Sequence, residues 1–172
     1  MSQNPTSKAR NLLRCIADGL VGYMTYQSRC GMSEAYTEYL LYDPIVRIAK
    51  DKKWIVKSEY SVAGFGKPGD NKRIDFFMES ISHTGLLVGI EVKWIPAHKK
   101  ALNLTNDRKK LTALKLMHKD KDLRTYIALS GVHTDSKLKQ ISNSIKHNKE
   151  LIYQQVFKSQ HTSYGTTIIE TK

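Results

Sequence analysis

Two apolar runs constrain this chain more than any other feature: Lys72-Arg73-Ile74-Asp75-Phe76-Phe77-Met78 and Leu86-Leu87-Val88-Gly89-Ile90-Glu91-Val92-Lys93-Trp94. Their aliphatic and aromatic content reads as two strands, about residues 72–80 and 86–94. Each carries charge where a strand ordinarily avoids it: Asp75 on the first, Glu91 and Lys93 on the second. A charge on a sheet face is costly unless something compensates it. For two carboxylates the natural compensator is a divalent cation, with the lysine beside it.

Strand side chains alternate, so parity decides which residues can meet. Ile74, Phe76 and Met78 share one face, and Asp75, Phe77 and Glu79 the other. On the second strand Leu86, Val88, Ile90 and Val92 oppose Leu87, Gly89, Glu91 and Lys93. If both apolar rows enter one core, Asp75, Glu91 and Lys93 emerge together, which requires a hairpin loop of odd length. A three-residue His83-Thr84-Gly85 loop with a left-handed Gly85 supplies it and places Asp75 opposite Lys93. Clustered carboxylate oxygens suit Mg²⁺ or Mn²⁺. The competing reading is a ladder of Asp–Lys and Glu–Lys ion pairs on a solvated face.

The chain is strongly basic, with 28 Lys and Arg against 16 Asp and Glu in 172 residues and a net charge of +12. Phosphate neutralisation makes nucleic acid the expected partner of such a chain. No apolar run approaches the roughly 18–20 residues of a membrane span, so no membrane partner is expected. Met1 to Arg10 lacks the apolar stretch of a secretory signal. Cys15 and Cys30 alone support neither a disulfide framework nor a four-cysteine zinc site. A reducing, cytoplasmic setting is expected, with one domain over residues 1–172.

Helical spacing of Leu12, Leu13, Ile16 and Leu20 predicts a helix over 8–29. Ser33 is a candidate cap for a second helix through Tyr42, which restarts at Asp43-Pro44 and runs to Lys52. Trp54 to Val62 alternates as a strand, and glycine-rich 63–71 is a loop. Thr105 or Asn103 caps a helix to about Lys119. Residues 124–130 read as a buried parallel strand. Residues 136–157 read as a long basic helix, with Leu138, Ile141, Ile145, Ile152 and Val156 inward, and 166–170 as an edge strand. The order implies an α/β fold, a central mixed sheet flanked by helices.

Asp75 followed by Glu91-Val92-Lys93 in an apolar strand resembles the signature of the PD-(D/E)xK nuclease superfamily, the restriction-endonuclease-like fold. Arg73-Ile74-Asp75 stands where members often have Arg-x-Asp, without the proline that precedes the aspartate. Glu38 lies before Leu41, Ile45 and Ala49 and resembles the acid that members add from a helix. Asn106-Asp107-Arg108-Lys109-Lys110-Leu111 is similar to the Asp-x-x-Lys-Leu pattern after the catalytic strand. The resemblance covers about residues 33–130, and it implies an αβββαβ core with an N-terminal helix and a C-terminal basic helix outside it.

The same resemblance implies a Mg²⁺- or Mn²⁺-dependent endonuclease hydrolysing phosphodiesters, DNA ahead of RNA. Asp75, Glu91, Glu38 and the Val92 carbonyl would hold the metal. Lys93 would position the attacking water, and Lys72, Arg73, Lys109 and Lys110 would contact nucleic acid. A homodimer is compatible with this. Glu34, one turn before Glu38, competes for the helix role, and Glu38 fits the apolar spacing better. Glu59 reads as an edge charge, and Asp107 as a first-turn partner of the helix dipole. The six histidines lack zinc spacing and read mostly as surface residues, with only His98 near the expected site. Tyr36, Tyr39 and Tyr42 read as helix packing ahead of base stacking. Rival functions are a non-catalytic nucleic-acid-binding module on the same fold and a basic protein-interaction domain.

Overall fold

A computed structural model describes residues 4–32, 37–62, 72–97, 102–145, 150–158 and 162–171. Helix α1, Pro5–Arg29, starts with Pro5 in the first turn and the Asn4 side chain accepting the Thr6 N–H at 2.9 Å. A 3₁₀ turn, Glu38–Leu41, leads directly into α2, Tyr42–Asp51. Strands β1 (Trp54–Ser61), β2 (Arg73–Ser80) and β3 (Leu86–Ile95) follow. Helix α3, Thr105–Met117, crosses to β4, Asp122–Val132, which runs parallel to β3 as expected. The short α4, Asp135–Ser144, precedes β5 (Leu151–Lys158) and β6 (Ser163–Glu170).

The architecture is α/β: one six-stranded mixed sheet in the order β1-β2-β3-β4-β6-β5, with helices over both faces. Helices α1 and α2 cover one face, where Leu13, Ile16, Leu20 and Ile45 pack on Phe76 and Ile90. Leu111 and Leu114 of α3 and Ile141 of α4 cover the other, against Phe77, Leu87 and Ile127. Coverage on both sides explains why β3 and β4 read as nearly unbroken apolar runs. No helix among the described residues is long and apolar enough to cross a membrane.

Three expectations need correction. The long basic helix over 136–157 is instead α4 followed by edge strand β5. Leu138, Ile141 and Ile145 keep a helical period, but Ile152, Tyr153, Val156 and Phe157 are β-branched and aromatic, and β5 pairs with β6 through Tyr153, Val156 and Phe157, with a register shift at Ile152. The segment expected at the sheet edge is interior, between β4 and β5. The second helix does not run through Glu38: Thr37 is extended (φ −127°, ψ 165°), and Glu38 opens the 3₁₀ turn. Ser33 and Glu34 lie outside the described residues, as does the 63–71 loop.

The hairpin register also differs. Phe76 pairs with Ile90 and Glu79 with Leu87, two residues out of step with the register that would set Asp75 opposite Lys93. The loop is longer than three residues: the Ile81 N–H turns away to the Lys53 carbonyl and the Ser80 hydroxyl takes the His83 N–H. Gly85 is left-handed as expected, at φ 85°. The loop length stays odd, so the parity argument survives a shift of two residues.

Candidate active site

Asp75 marks a fault line in the sheet. The β2–β3 ladder stops at Phe76↔Ile90, and one Asp75 oxygen (Oδ2) accepts the Val92 N–H at 2.6 Å. On the other side Glu59 adopts φ 52°, a left-handed backbone that a residue with a Cβ rarely takes, between Ser58↔Phe76 and Tyr60↔Ile74. Beyond this point the ribbon turns over. Trp54, Phe76 and Met78 belong to the α1–α2 core, whereas Tyr60 and Ile74 pack under α3. Ile74 therefore does not share the face of Phe76 and Met78.

Helix α3 completes the site because Gly89 lets it approach. A Cβ at Gly89 would sit 2.6 Å from the Leu114 side chain, so α3 rests directly on β3. Its first two turns then carry Asp107 and Lys110 onto the strand's charges. Lys93 Nζ lies 3.2 Å from Asp107, and Lys110 Nζ lies 2.6 Å from one Glu91 oxygen and 3.1 Å from the Arg73 carbonyl. From the opposite layer the Tyr42 hydroxyl reaches Asp75 at 2.6 Å and Glu59 at 3.0 Å. One hydroxyl hydrogen serves two carboxylates. Burial and the bond to Asp75 raise the Tyr42 pKa, so the phenol stays protonated.

Glu38 belongs to the same cluster. Burial raises its pKa, while Lys93 lowers it and Asp75 raises it further. It lines a pocket of about 390 Å³ with Tyr39, Tyr42, Glu59, Arg73, Asp75 and Lys110. Among the described residues of this basic chain, five acids (Glu38, Glu59, Asp75, Glu91 and Asp107) thus gather in one place. Glu91 is the most confined, 2 % exposed, with Oε1 buried and without a hydrogen-bond partner among the described residues. Burial first, then Asp75, pushes it up to about 8 despite Lys110. Burial likewise raises Asp75, against the bonds from Tyr42 and Val92. Lys93 moves the other way in its chemistry: burial opposes its charge, but Asp107, Glu38 and Glu91 together raise its pKa.

These residues test whether a cation suits the site. Glu38, Asp75, Glu91 and Asp107 face Lys93 and Lys110, so with every group ionised the acids outnumber the ammonium groups by two, a state that burial resists by pushing Glu91 up to about 8. A divalent cation would supply the missing positive charge, and the oxygen-only donors and the orphaned Glu91 oxygen fit one. Among the described residues no three His, Cys, Asp or Glu side chains already form a metal cage. The acids are engaged by Lys110, Lys93 and Tyr42 instead.

Sequence reasoning placed Asp75, Glu91, Lys93 and Glu38 together, and the structure brings them together. Arg73 lines the pocket and Lys110 enters it, whereas Lys109 points to solvent and Lys72 is half-buried on the strand end. Val92 contributes its N–H to Asp75 and buries its side chain. Three participants were undervalued: Asp107, 5 % exposed rather than a solvated dipole partner; Glu59; and Tyr42. The Asp107-to-Lys110 spacing of one helical turn was the available signal for the first. Glu59 carried none. His133 is buried rather than on the surface, and Tyr36, His98, His147 and His161 lie outside the described residues. Comparison with protein-family models, curated proteins and solved structures finds no match to this chain.

Proposed function

We propose that this chain is a divalent-metal-dependent nuclease with a PD-(D/E)xK-like core, acting on DNA ahead of RNA. The observation that carries the reading is Glu91: a buried carboxylate with one oxygen unpartnered, placed beside Asp75 in a strand, on a chain of net charge +12. The run α2-β1-β2-β3-α3-β4 supports the finer fold assignment, since it has the αβββαβ order. Asp75, Glu91 and Glu38, with the Val92 carbonyl, would hold Mg²⁺ or Mn²⁺. Such a cation polarises a phosphoryl oxygen and lowers the pKa of a bound water.

The chain's own groups do the rest. Asp107 fixes Lys93 as an ammonium, which donates to the attacking water or the phosphate and does not serve as the base. Tyr42 anchors Asp75 from behind. Arg73 and Lys110 face the pocket where a phosphate would enter, and Lys72 and Lys109, their neighbours in sequence, would add charge for the nucleic-acid backbone. The test is cleavage of a labelled DNA in excess chelator, in Mg²⁺ and in Mn²⁺, with Lys93→Ala alongside. Activity should vanish in chelator, return with either metal, and fall by at least about a hundredfold in Lys93→Ala. Full cleavage in chelator would remove the metal from the mechanism.

The two ion pairs, Lys93–Asp107 and Lys110–Glu91, favour a second reading: a nucleic-acid-binding module in which those lysines merely neutralise the acids. That protein would bind DNA with the same salt dependence in Mg²⁺ and in chelator, and would cut nothing.

A further inference from the structure

We infer that Tyr39 is a stacking platform for an unpaired base next to the scissile phosphate, so the preferred substrate carries a single-stranded nucleotide there rather than continuous duplex. The inference rests on the nuclease reading above and names its substrate class. Tyr39 is 72 % exposed, yet it stands on the wall of the acid pocket, in the turn residue after Glu38. The ring rests against Tyr42 and is otherwise open to solvent beside the charged cleft. The Tyr39 ring centroid lies 5.4 Å from that of Tyr42, tilted by 54°, and Tyr42 sits 4.6 Å from buried Phe76. Leu41, fully buried, pins the same turn to the core.

The pocket therefore holds the three elements that one nucleotide requires. Asp75 and Glu38 supply oxygens for a cation, Arg73 and Lys110 supply positive charge for a phosphate, and Tyr39 supplies an apolar plane for a base. Tyr42 links them: its ring touches Tyr39 and its hydroxyl touches Asp75 at 2.6 Å. This short chain of contacts sets the platform within a nucleotide or two of the acids. A base in a continuous duplex is stacked on its neighbours and presents only its edge, so it cannot lie on this ring. A base in an overhang, flap or single strand can, and stacking of this kind tolerates any sequence.

The experiment compares Mg²⁺-dependent cleavage of one sequence as continuous duplex, as duplex with a single-stranded flap, and as single strand. Binding of the same strands, carrying a fluorescent base analogue at the junction, is read in Ca²⁺. The wild type should cut the unpaired forms about tenfold faster at limiting substrate, the order that base–aromatic stacking supplies. Binding should quench the analogue. Tyr39→Ala should raise KM for unpaired substrate about tenfold with kcat less affected and abolish the quench, while Tyr39→Phe should keep both. Equal cleavage of continuous duplex by the wild type, or an unchanged preference in a folded Tyr39→Ala, overturns the platform and leaves the nuclease reading standing. Absence of any metal-dependent cleavage overturns that reading, and the platform with it.

Discussion

Two of the places where the sheet buries polar groups are built on opposite principles. Between β4 and β6, Ser130, His133, Thr166 and Thr167 are fully buried and each is paired. His133 Nδ1 meets the Gly131 carbonyl at 3.2 Å, Nε2 meets the Thr167 hydroxyl at 3.1 Å, and Ser130 meets Thr166 at 3.0 Å. Burial drives His133 down to about 4, so the network is neutral. Under α3, at the β2–β3 end, the buried groups are acids and lysines, one Glu91 oxygen has no partner among the described residues, and Asp75 and Glu59 share a phenol. A satisfied neutral network strengthens a fold, whereas a half-satisfied charged one is worse than an apolar core. On the nuclease reading proposed above, the second region is the one that would hold the metal.

If that division holds, substitutions should separate stability from metal binding. Gly165 seats His133: a Cβ there would fall 2.6 Å from the imidazole Cγ, and the ring is bonded at both nitrogens. Gly165→Ala should cost about 2 kcal/mol and lower Tm by roughly 5 °C, with Mn²⁺ affinity unchanged. Glu91→Gln should do the reverse, raising the metal-free Tm while abolishing Mn²⁺ binding by calorimetry. Should Gly165→Ala weaken metal binding as strongly as Glu91→Gln, the two regions are one coupled unit.

The pH dependence sharpens the contrast, because the two clusters have opposite signs. Glu91 rises from 4.5 to about 8 on folding, so the native state holds a proton that the unfolded chain has lost. Its stabilisation is complete below the unfolded value and disappears as pH rises through 8. Asp75 and Glu38 shift in the same direction. His133 falls from 6.5 to about 4, so its contribution is complete above 6.5 and is lost on acidification through 4. Between pH 6.5 and 8 the acid pocket acts without His133. Metal-free protein should lose on the order of 2 kcal/mol across that window; saturating Mg²⁺ should reverse the slope of Tm, and Glu91→Gln should flatten it. A flat profile in the metal-free wild type would mean that Glu91 is already ionised and compensated.

Much of this site could be read from strand parity, and the failures are instructive. Asp75, Glu91 and Lys93 converge because alternation depends only on an odd loop. The register slipped by two because the Lys53 carbonyl captures the Ile81 N–H, a tertiary contact that no local pattern announces. Ile74 changed faces because Glu59 takes a left-handed backbone that its residue type does not demand. The supposed helix at 136–157 failed because Ile152 and Val156 stand four apart, which suits a helix face as well as alternate positions of a strand. Pairing with β6 decided the matter. Asp107 and Lys110 stand out in the sequence by their one-turn spacing, but their pairing with Lys93 and Glu91 depends on Gly89, which brings α3 down on β3.

The smallest effect tests how the charged region survives without metal. Lys110 Nζ sits 2.6 Å from Glu91 and also caps the Arg73 carbonyl, so it is the ammonium that a cation at Asp75 and Glu91 must displace. Lys93 is less of a competitor, since Asp107 holds it at 3.2 Å. Removing the competitor should favour the metal. Lys110→Met should tighten Mn²⁺ binding to the nucleic-acid-free protein by several-fold, about 1 kcal/mol, while Lys93→Met changes it less. In the wild type a bound phosphodiester should also tighten Mn²⁺ binding, because Lys110 then has an anion to move to. Linkage requires the metal to tighten the phosphodiester equally. In Lys110→Met that mutual gain should shrink. If Lys110→Met instead weakens Mn²⁺ binding with the fold intact, Lys110 organises the acids rather than substituting for the metal. The charged region would then be prebuilt by its ion pairs, as its neutral counterpart between β4 and β6 is by hydrogen bonds.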